Sequence, residues 1–303
     1  MLKSVLLYMS EQPKLQQMAM KVDITRRTAH RFVAGETVQE AVRAAGQLNL
    51  KGFSATLDYL GENVSSKDEA IHACEKYLKA LIEINRSSVN SNVSLKLTQF
   101  GLSISEDLAH ENVERLVLQA RESNNFVRID MEGSEHTDAT LRIFRALRNK
   151  YENVGTVIQA YLFRSEKDIE DLLQMKTRIR LCKGAYSEPP SIAFKKKNET
   201  DQNYIKLMRI LLKSGIFHGI ATHDPKMIHA TKEFAERENI AKELFEFQML
   251  YGIRRDLQEE LTKQGYRVRI YIPYGEEWYS YLMRRMAERP ANLFFVLSNL
   301  FRG

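Results

Sequence analysis

The chain has 303 residues, 44% of them hydrophobic, with 45 Lys and Arg against 39 Asp and Glu for a formal net charge of +6 and a pI of about 9.1. This allows one large globular domain or two ordinary ones, and no run approaches the roughly eighteen apolar residues of a transmembrane helix. Two cysteines, Cys74 and Cys182, exclude a disulfide framework and lack metal-site spacing.

The opening MLKSVLLYMSEQPK breaks its apolar run at Ser10 and Glu11 and has no small-residue cleavage site. Secretion is therefore not expected, and the cytoplasm is. Basic residues are scattered. The longest run, KKK at 195–197, reads as a solvated helix face. Without a basic helix carrying interleaved aromatics, nucleic acid is not an expected partner. Small anions and an anionic membrane surface remain compatible with the charge.

Residues 1–48 read as a polar helical arm, with apolar positions at helical spacing (Leu15, Met18, Val22; Val38, Ala41, Val42, Ala45). A rhythm follows. Strand-like runs at 53–58, 93–97, 126–130, 154–162, 177–183, 218–223, 244–250 and 266–272 alternate with amphipathic stretches such as 68–84 and 106–123. Alternation of this kind predicts an α/β fold with a parallel sheet. Eight units over residues 49–290 predict a closed (βα)₈ barrel, with an open doubly wound sheet as the alternative. The segment ANLFFVLSNLF, within 291–303, reads as a terminal helix. The expectation is a single domain.

Strand phase carries the strongest inference. A barrel strand turns one face to the helices and one to the interior. If Leu95 and Leu97, Val127 and Ile129, Ile179 and Leu181, Phe245 and Phe247, and Val268, Ile270 and Ile272 face the helices, the inward set is polar. It comprises Lys96, Arg128, Asp130, Arg178, Arg180, Cys182, Glu246, Gln248, Arg269 and Tyr271. The strands around Gln159 and Thr222 show no clear phase. Buried charges must pair with one another or with a ligand, and barrel active sites lie at the C-terminal ends of the strands. A plainer reading is an internal salt-bridge network, such as Arg180 with Asp130 or Glu246.

The last strand predicts a stop at Tyr271, a tight turn at 273–275 and a helix carrying Tyr281, Arg284, Arg285 and Glu288. Adjacent guanidiniums beside aromatic rings suit a small carboxylate with an apolar body. Asp58 and Glu62 read as an acid pair or as a loop with a helix cap. His218 reads as a residue filling the start of its strand. Lys96 and Lys183 near strand ends would suit a Schiff-base lyase or aldolase, although alternation points Lys183 outward unless its strand has ended. Glycine-rich dinucleotide loops, phosphate-binding loops and zinc motifs are absent from the sequence.

In this order, LDYLGE (57–62), SLKL (94–97), RIDMEG (128–133), IQAYL (158–162), RLCKGAY (180–186), ATHD (221–224), FEFQMLYG (245–252) and IYIPYG with YLMRRMAE (270–288) resemble the proline dehydrogenases. The resemblance covers roughly 50–290 and is to the monofunctional bacterial form. It implies a distorted (βα)₈ TIM barrel whose last helix lies over the mouth and which holds FAD non-covalently. L-proline would be oxidised to 1-pyrroline-5-carboxylate, the first step of its catabolism, with electrons passed to a membrane quinone.

Residue by residue, the resemblance implies that Lys96, Arg284 and Arg285 bind the carboxylate, while Tyr271, Tyr281 and Leu250 wall the ring. Asp130 would join the Lys96 and arginine network, with solvent as the alternative proton acceptor. Arg180 would lie by flavin N5. Met131, Gln159, Lys183, Gly184, Ala185, Thr222, His223 and Glu288 would touch FAD, and Glu62 would gate the site through Arg284. Hydroxyproline is the alternative substrate within the family, which the bulk of Tyr271 disfavours. Transient contact with the inner face of the membrane is expected at most.

Overall fold

The structure, a computed structural model, describes residues 31–61 and 64–288. Residues 1–30 of the expected arm, Glu62 and the expected helix at 291–303 lie outside the described residues, as do the side chains of Arg284, Arg285 and Glu288.

The first helix, α1 (Val38–Asn49), starts at a capping box. Thr37 Oγ1 accepts from the Glu40 N–H while Glu40 returns a bond to the Thr37 N–H. Two donors left unpaired by the first turn are thereby satisfied. The elements that follow alternate: β1 (Ser54–Tyr59), α2 (Lys67–Arg86), β2 (Ser91–Leu95), α3 (Glu106–Glu122), β3 (Val127–Ile129), α4 (Ser134–Arg148), β4 (Val154–Gln159), α5 (Ser165–Gln174), β5 (Ile179–Cys182), α6 (Lys197–Lys213), β6 (His218–Ala221), α7 (Pro225–Arg237), β7 (Phe245–Leu250), α8 (Arg255–Lys263), β8 (Val268–Tyr274) and α9 (Trp278–Glu288).

All eight strands are parallel and close on themselves in sequence order, β8 pairing with β1. The open-sheet alternative is excluded. The helix-facing phase holds: Val93, Leu95, Val127, Ile129, Ile179, Leu181, Phe245, Phe247, Val268, Ile270 and Ile272 are all buried in one core between barrel and helices. On β4 every residue is buried, and β6 ends at Ala221, before Thr222. Alternation was therefore uninformative at both places.

Two local expectations are corrected. β8 does not stop at Tyr271 but pairs with β1 through Pro273 and Tyr274. The fixed φ of proline is compatible with an extended chain, and the Pro273 carbonyl accepts the Ala34 N–H at 2.9 Å. Asp58 is not in a loop; it lies within β1. The described part of the arm is not detached, since α1 packs on β1, β8 and α2 through Val38, Ala41, Val42 and Ala45. In a regular barrel the helix after β8 would lie there.

Candidate active site

At the C-terminal ends of the strands, inward residues from six strands converge. Ala55 and Leu57 face the helices at 0% exposure, which turns Thr56 and Asp58 inward. Lys96 and Asp130 each follow the last residue of their strands, β2 and β3. Arg180, Gln248 and Tyr271 come from β5, β7 and β8.

Arg180 is the hub. Its Nη1 donates to Asp130 Oδ1 at 2.6 Å and to Ser94 Oγ at 3.0 Å, its Nε donates to Gln248 Oε1, and its Cζ stands 5.2 Å from the Tyr271 ring centroid. Asp130 also accepts from Ser94 Oγ at 2.7 Å and, through its other oxygen, from Tyr271 OH at 2.7 Å. Burial and then the Asp130 charge push the Tyr271 phenol well above its ordinary range. It stays a neutral hydrogen-bond donor.

A second pair sits beside the hub. Lys96 Nζ lies 3.3 Å from both Asp58 oxygens, and Tyr77 OH donates to Asp58 Oδ1 at 3.1 Å. Burial raises the Asp58 carboxyl and the Lys96 charge opposes that rise. Of the expected network of Asp130 with Lys96 and the arginines, Asp130 pairs with Arg180, while Lys96 pairs with Asp58. The parallel register sets Leu57 against Val93, which brings the ends of β1 and β2 together. Asp58, Ser94 and Tyr77 were missed as site residues. The phase rule that turned Lys96 inward already turned Ser94 inward, and applied to β1 it turns Asp58 inward too. Tyr77, on α2, gave no such signal.

The residues expected at the cofactor gather on neighbouring strand ends, Gln159 on β4, Lys183 to Ala185 after β5, and Thr222 and His223 after β6. Gln159 Nε2 donates to the Glu132 carbonyl at 2.8 Å. His223 Nε2 accepts the Leu250 N–H at 2.9 Å, which ties the end of β7 to this group. Met131 is buried and Ala185 exposed.

The strand has indeed ended before Lys183. Its ammonium donates to Asp201, and to Asp224 at 2.7 Å, where Lys197 also reaches both carboxylates. Burial raises the Asp224 carboxyl, but the bonds from Lys183 and from the Lys226 N–H outweigh it and hold the carboxyl at about 2. A Schiff-base nucleophile must be a free neutral amine. Lys96 and Lys183 both bond carboxylates, so the geometry disfavours the lyase reading. Burial pushes the Cys182 thiol up to about 12, which leaves it no nucleophile.

The arrangement fits a flavin. An amide (Gln159), an ammonium (Lys183) and a hydroxyl (Thr222) reach three adjacent strand ends beside the buried guanidinium of Arg180. That donor chemistry suits the carbonyls and ring nitrogens of an isoalloxazine and the negative charge of its reduction. Gly184 has φ +105°, and a Cβ there would overlap the Tyr161 ring. The position therefore requires glycine. Tyr161 is itself fixed by its OH, which donates to Glu188 Oε1 at 3.2 Å.

A closed (βα)₈ barrel with paired buried charges at the C-terminal ends of its strands is the architecture of an enzyme acting at the barrel mouth. A family model described as proline dehydrogenase matches residues 41–297. Proline dehydrogenase 1 of Bacillus subtilis (strain 168) is 44% identical over 302 residues, covering 100% of both chains. A proline dehydrogenase of Deinococcus radiodurans is 39% identical over 99% of this chain and 98% of its own. Among solved structures, proline utilization A (PutA) from Bdellovibrio bacteriovorus, inactivated by N-propargylglycine, superposes with a TM-score of 0.82 at 28% identity over 87% of this chain. This chain spans only 33% of that PutA chain. The chain belongs to the proline dehydrogenase family, which is FAD-dependent, and is a proline-oxidising enzyme.

Proposed function

We infer that L-proline binds at the barrel mouth against non-covalently held FAD and leaves as 1-pyrroline-5-carboxylate. The observation that carries this reading is the Tyr271–Asp130–Arg180 cluster at the strand ends, with Lys96 on Asp58 beside it. Bound FAD supplies the acceptor, at N5, for a hydride from proline C5.

The protein's part is positioning. Lys96 with Arg284 and Arg285 takes the substrate carboxylate, each charge-assisted bond contributing about 1.5–3 kcal/mol. Tyr271, Tyr281 and Leu250 wall the pyrrolidine ring, so that C5 is held in one orientation. The Tyr271 phenol is held in place by its bond to Asp130, and its bulk favours proline over hydroxyproline. Arg180 places positive charge where negative charge arrives. The amine also loses a proton, which balances oxidation of the CH–NH bond to C=N by loss of hydride and proton. Both Asp130 oxygens already accept bonds, so Asp130 acts as a holder and solvent takes the proton. Met131, Gln159, Lys183, Gly184, Ala185, Thr222, His223 and Glu288 hold the cofactor, and Glu62 closes the site against Arg284.

Electrons pass on to a quinone during transient contact with an anionic membrane surface. Among the described residues no helix is long and apolar enough to cross a membrane.

The purified protein should be yellow with an oxidised-flavin spectrum and should bleach when L-proline is added without oxygen. A colourless protein that FAD cannot reconstitute would overturn the reading. Arg180→Ala should shift the flavin potential, whereas Arg284→Ala and Arg285→Ala should chiefly raise KM for proline.

A further inference from the structure

The opposite end of the barrel carries charge that the reaction does not use. Around the N-terminal ends of the strands lies a pocket of about 420 Å³ lined by Arg128, Arg178, Arg269 and Glu246, with Asn90 and Asn125 among its polar neighbours. Three guanidiniums against one carboxylate leave two positive charges in excess. Glu246 is already shared, since its Oε1 accepts from Arg269 Nε at 2.7 Å and from Gln248 Nε2 at 2.6 Å.

Arg128 is the informative member. It is 3% exposed and lines the pocket. Its Nη1 donates to the Thr156 and Arg178 carbonyls at 3.0 and 2.8 Å, but its buried Nε has no partner. Burial, and then the charges of Arg180 and Arg269, pull its guanidinium down to about 9. It remains charged at neutral pH in surroundings that disfavour the charge. Arg178 is held in place at the rim, its Cζ 5.5 Å from the Phe126 ring centroid and 6.0 Å from that of Phe217, and Arg128 Cζ lies 5.0 Å from the Phe126 ring centroid. Stacking of this kind fixes planar forks at a defined separation.

A buried guanidinium with an unpartnered donor, beside two further guanidiniums, is the complement of an oxyanion, which Arg binds through paired N–H bonds. The volume exceeds what a bare phosphate or carboxylate fills, and the lining also carries the polar side chains of Ser88 and Asn124. We propose that the base of the barrel is a second ligand site, for a small polar molecule carrying a phosphate or carboxylate group. It is separate from the proline site at the mouth.

Calorimetric titration of the FAD-loaded enzyme tests this, with inorganic phosphate and citrate as probes at ionic strength held constant by sodium chloride. The titrations are run without oxygen, with and without saturating L-proline. At least one probe is expected to bind with one-to-one stoichiometry, unaffected by proline. Arg178→Gln, a change at an exposed side chain, is expected to weaken it about tenfold or more, as loss of a charge-assisted bond requires. Arg128→Lys should weaken it too, because lysine keeps the charge but loses the fork. Preference for phosphate assigns a phosphate ester, and preference for citrate a carboxylate. The proposal is overturned if neither probe binds at tens of millimolar, if proline displaces the probe, or if Arg178→Gln leaves affinity unchanged.

Discussion

At the mouth of the barrel Arg180 meets Asp130 and Lys96 meets Asp58; at the base, Arg128, Arg178 and Arg269 line one pocket with the carboxylate of Glu246, which pairs with Arg269. Both ends draw these groups from the same inward strand phase. They are even joined, by an unbroken run of hydrogen bonds from Tyr271 through Asp130, Arg180, Gln248 and Glu246 to Arg269. The difference is one of balance. Matched pairs hold one another rigid, which is what positioning a substrate demands. An excess of one sign leaves donors unsatisfied and calls for a counter-ion from solution.

The sharpest way to break the balance at the mouth is Lys96→Met. Asp58 is 1% exposed, and without its cation it would be a buried carboxylate with no counter-ion, still bonded by Tyr77, a loss of about 3–5 kcal/mol. The sign of its pH dependence follows from the raised carboxyl of Asp58. A group whose folded pKa lies above its unfolded one favours folding at low pH and is lost as pH rises. Urea melts should therefore show a larger deficit at pH 8 than at pH 5.5, with proline KM raised in whatever remains folded. Equal deficits at both pH values would mean that Asp58 is not the group left behind.

At the base, Arg269→Met strips Glu246 of its ion pair while Gln248 still donates to it. About 3 kcal/mol of stability should go, again by urea melt. A variant as stable as the parent would show that Glu246 is not held as a charge.

Asp130→Asn keeps shape and removes charge. Arg180 loses its charged partner, which should lower the rate of anaerobic flavin reduction about ten- to a hundredfold, as one charge-assisted bond of about 1.5–3 kcal/mol implies. Its effect on stability should be smaller than that of either methionine variant. Reduction at the parent rate would separate the cluster from catalysis.

How much of this was legible depended on what fixes each feature. The eight-strand rhythm and the inward set were readable because apolar residues on the helix face impose a period of two. Pairing was not, because it depends on stagger between strands: the β1–β2 register, which the alternation does not give, is what brings Asp58 to Lys96. Pro273 misled, since proline punctuates turns more often than it extends a strand. Arg128 and Arg269 point inward as the alternation requires, but a period of two does not distinguish the base of a strand from its mouth. Arg178 fell inward by the same rule and lies exposed at the rim, where two phenylalanines hold it.

His218 gives the mildest test, and it also belongs to the base. It fills the start of its strand, fully buried on β6. Its Nδ1 accepts the Ile179 N–H at 3.1 Å and its Nε2 lies 2.9 Å from Ser214 Oγ. The first contact requires a neutral ring, with the proton on Nε2. Burial, and then the charge of Arg128, hold the ring down to about 3. The sign is that of a depressed base: the unfolded chain takes up a proton below its own value of about 6.5 and the folded chain does not. Stability is therefore complete above that pH and declines as pH falls toward 3, by about 2 kcal/mol on reaching pH 5. His218→Asn removes the titrating ring, so the difference between parent and variant in urea melts should shrink by about that amount between pH 7 and pH 5. A difference that stays constant with pH would show that the ring is protonated in the fold. An anion at the base would then have one more positive charge to meet.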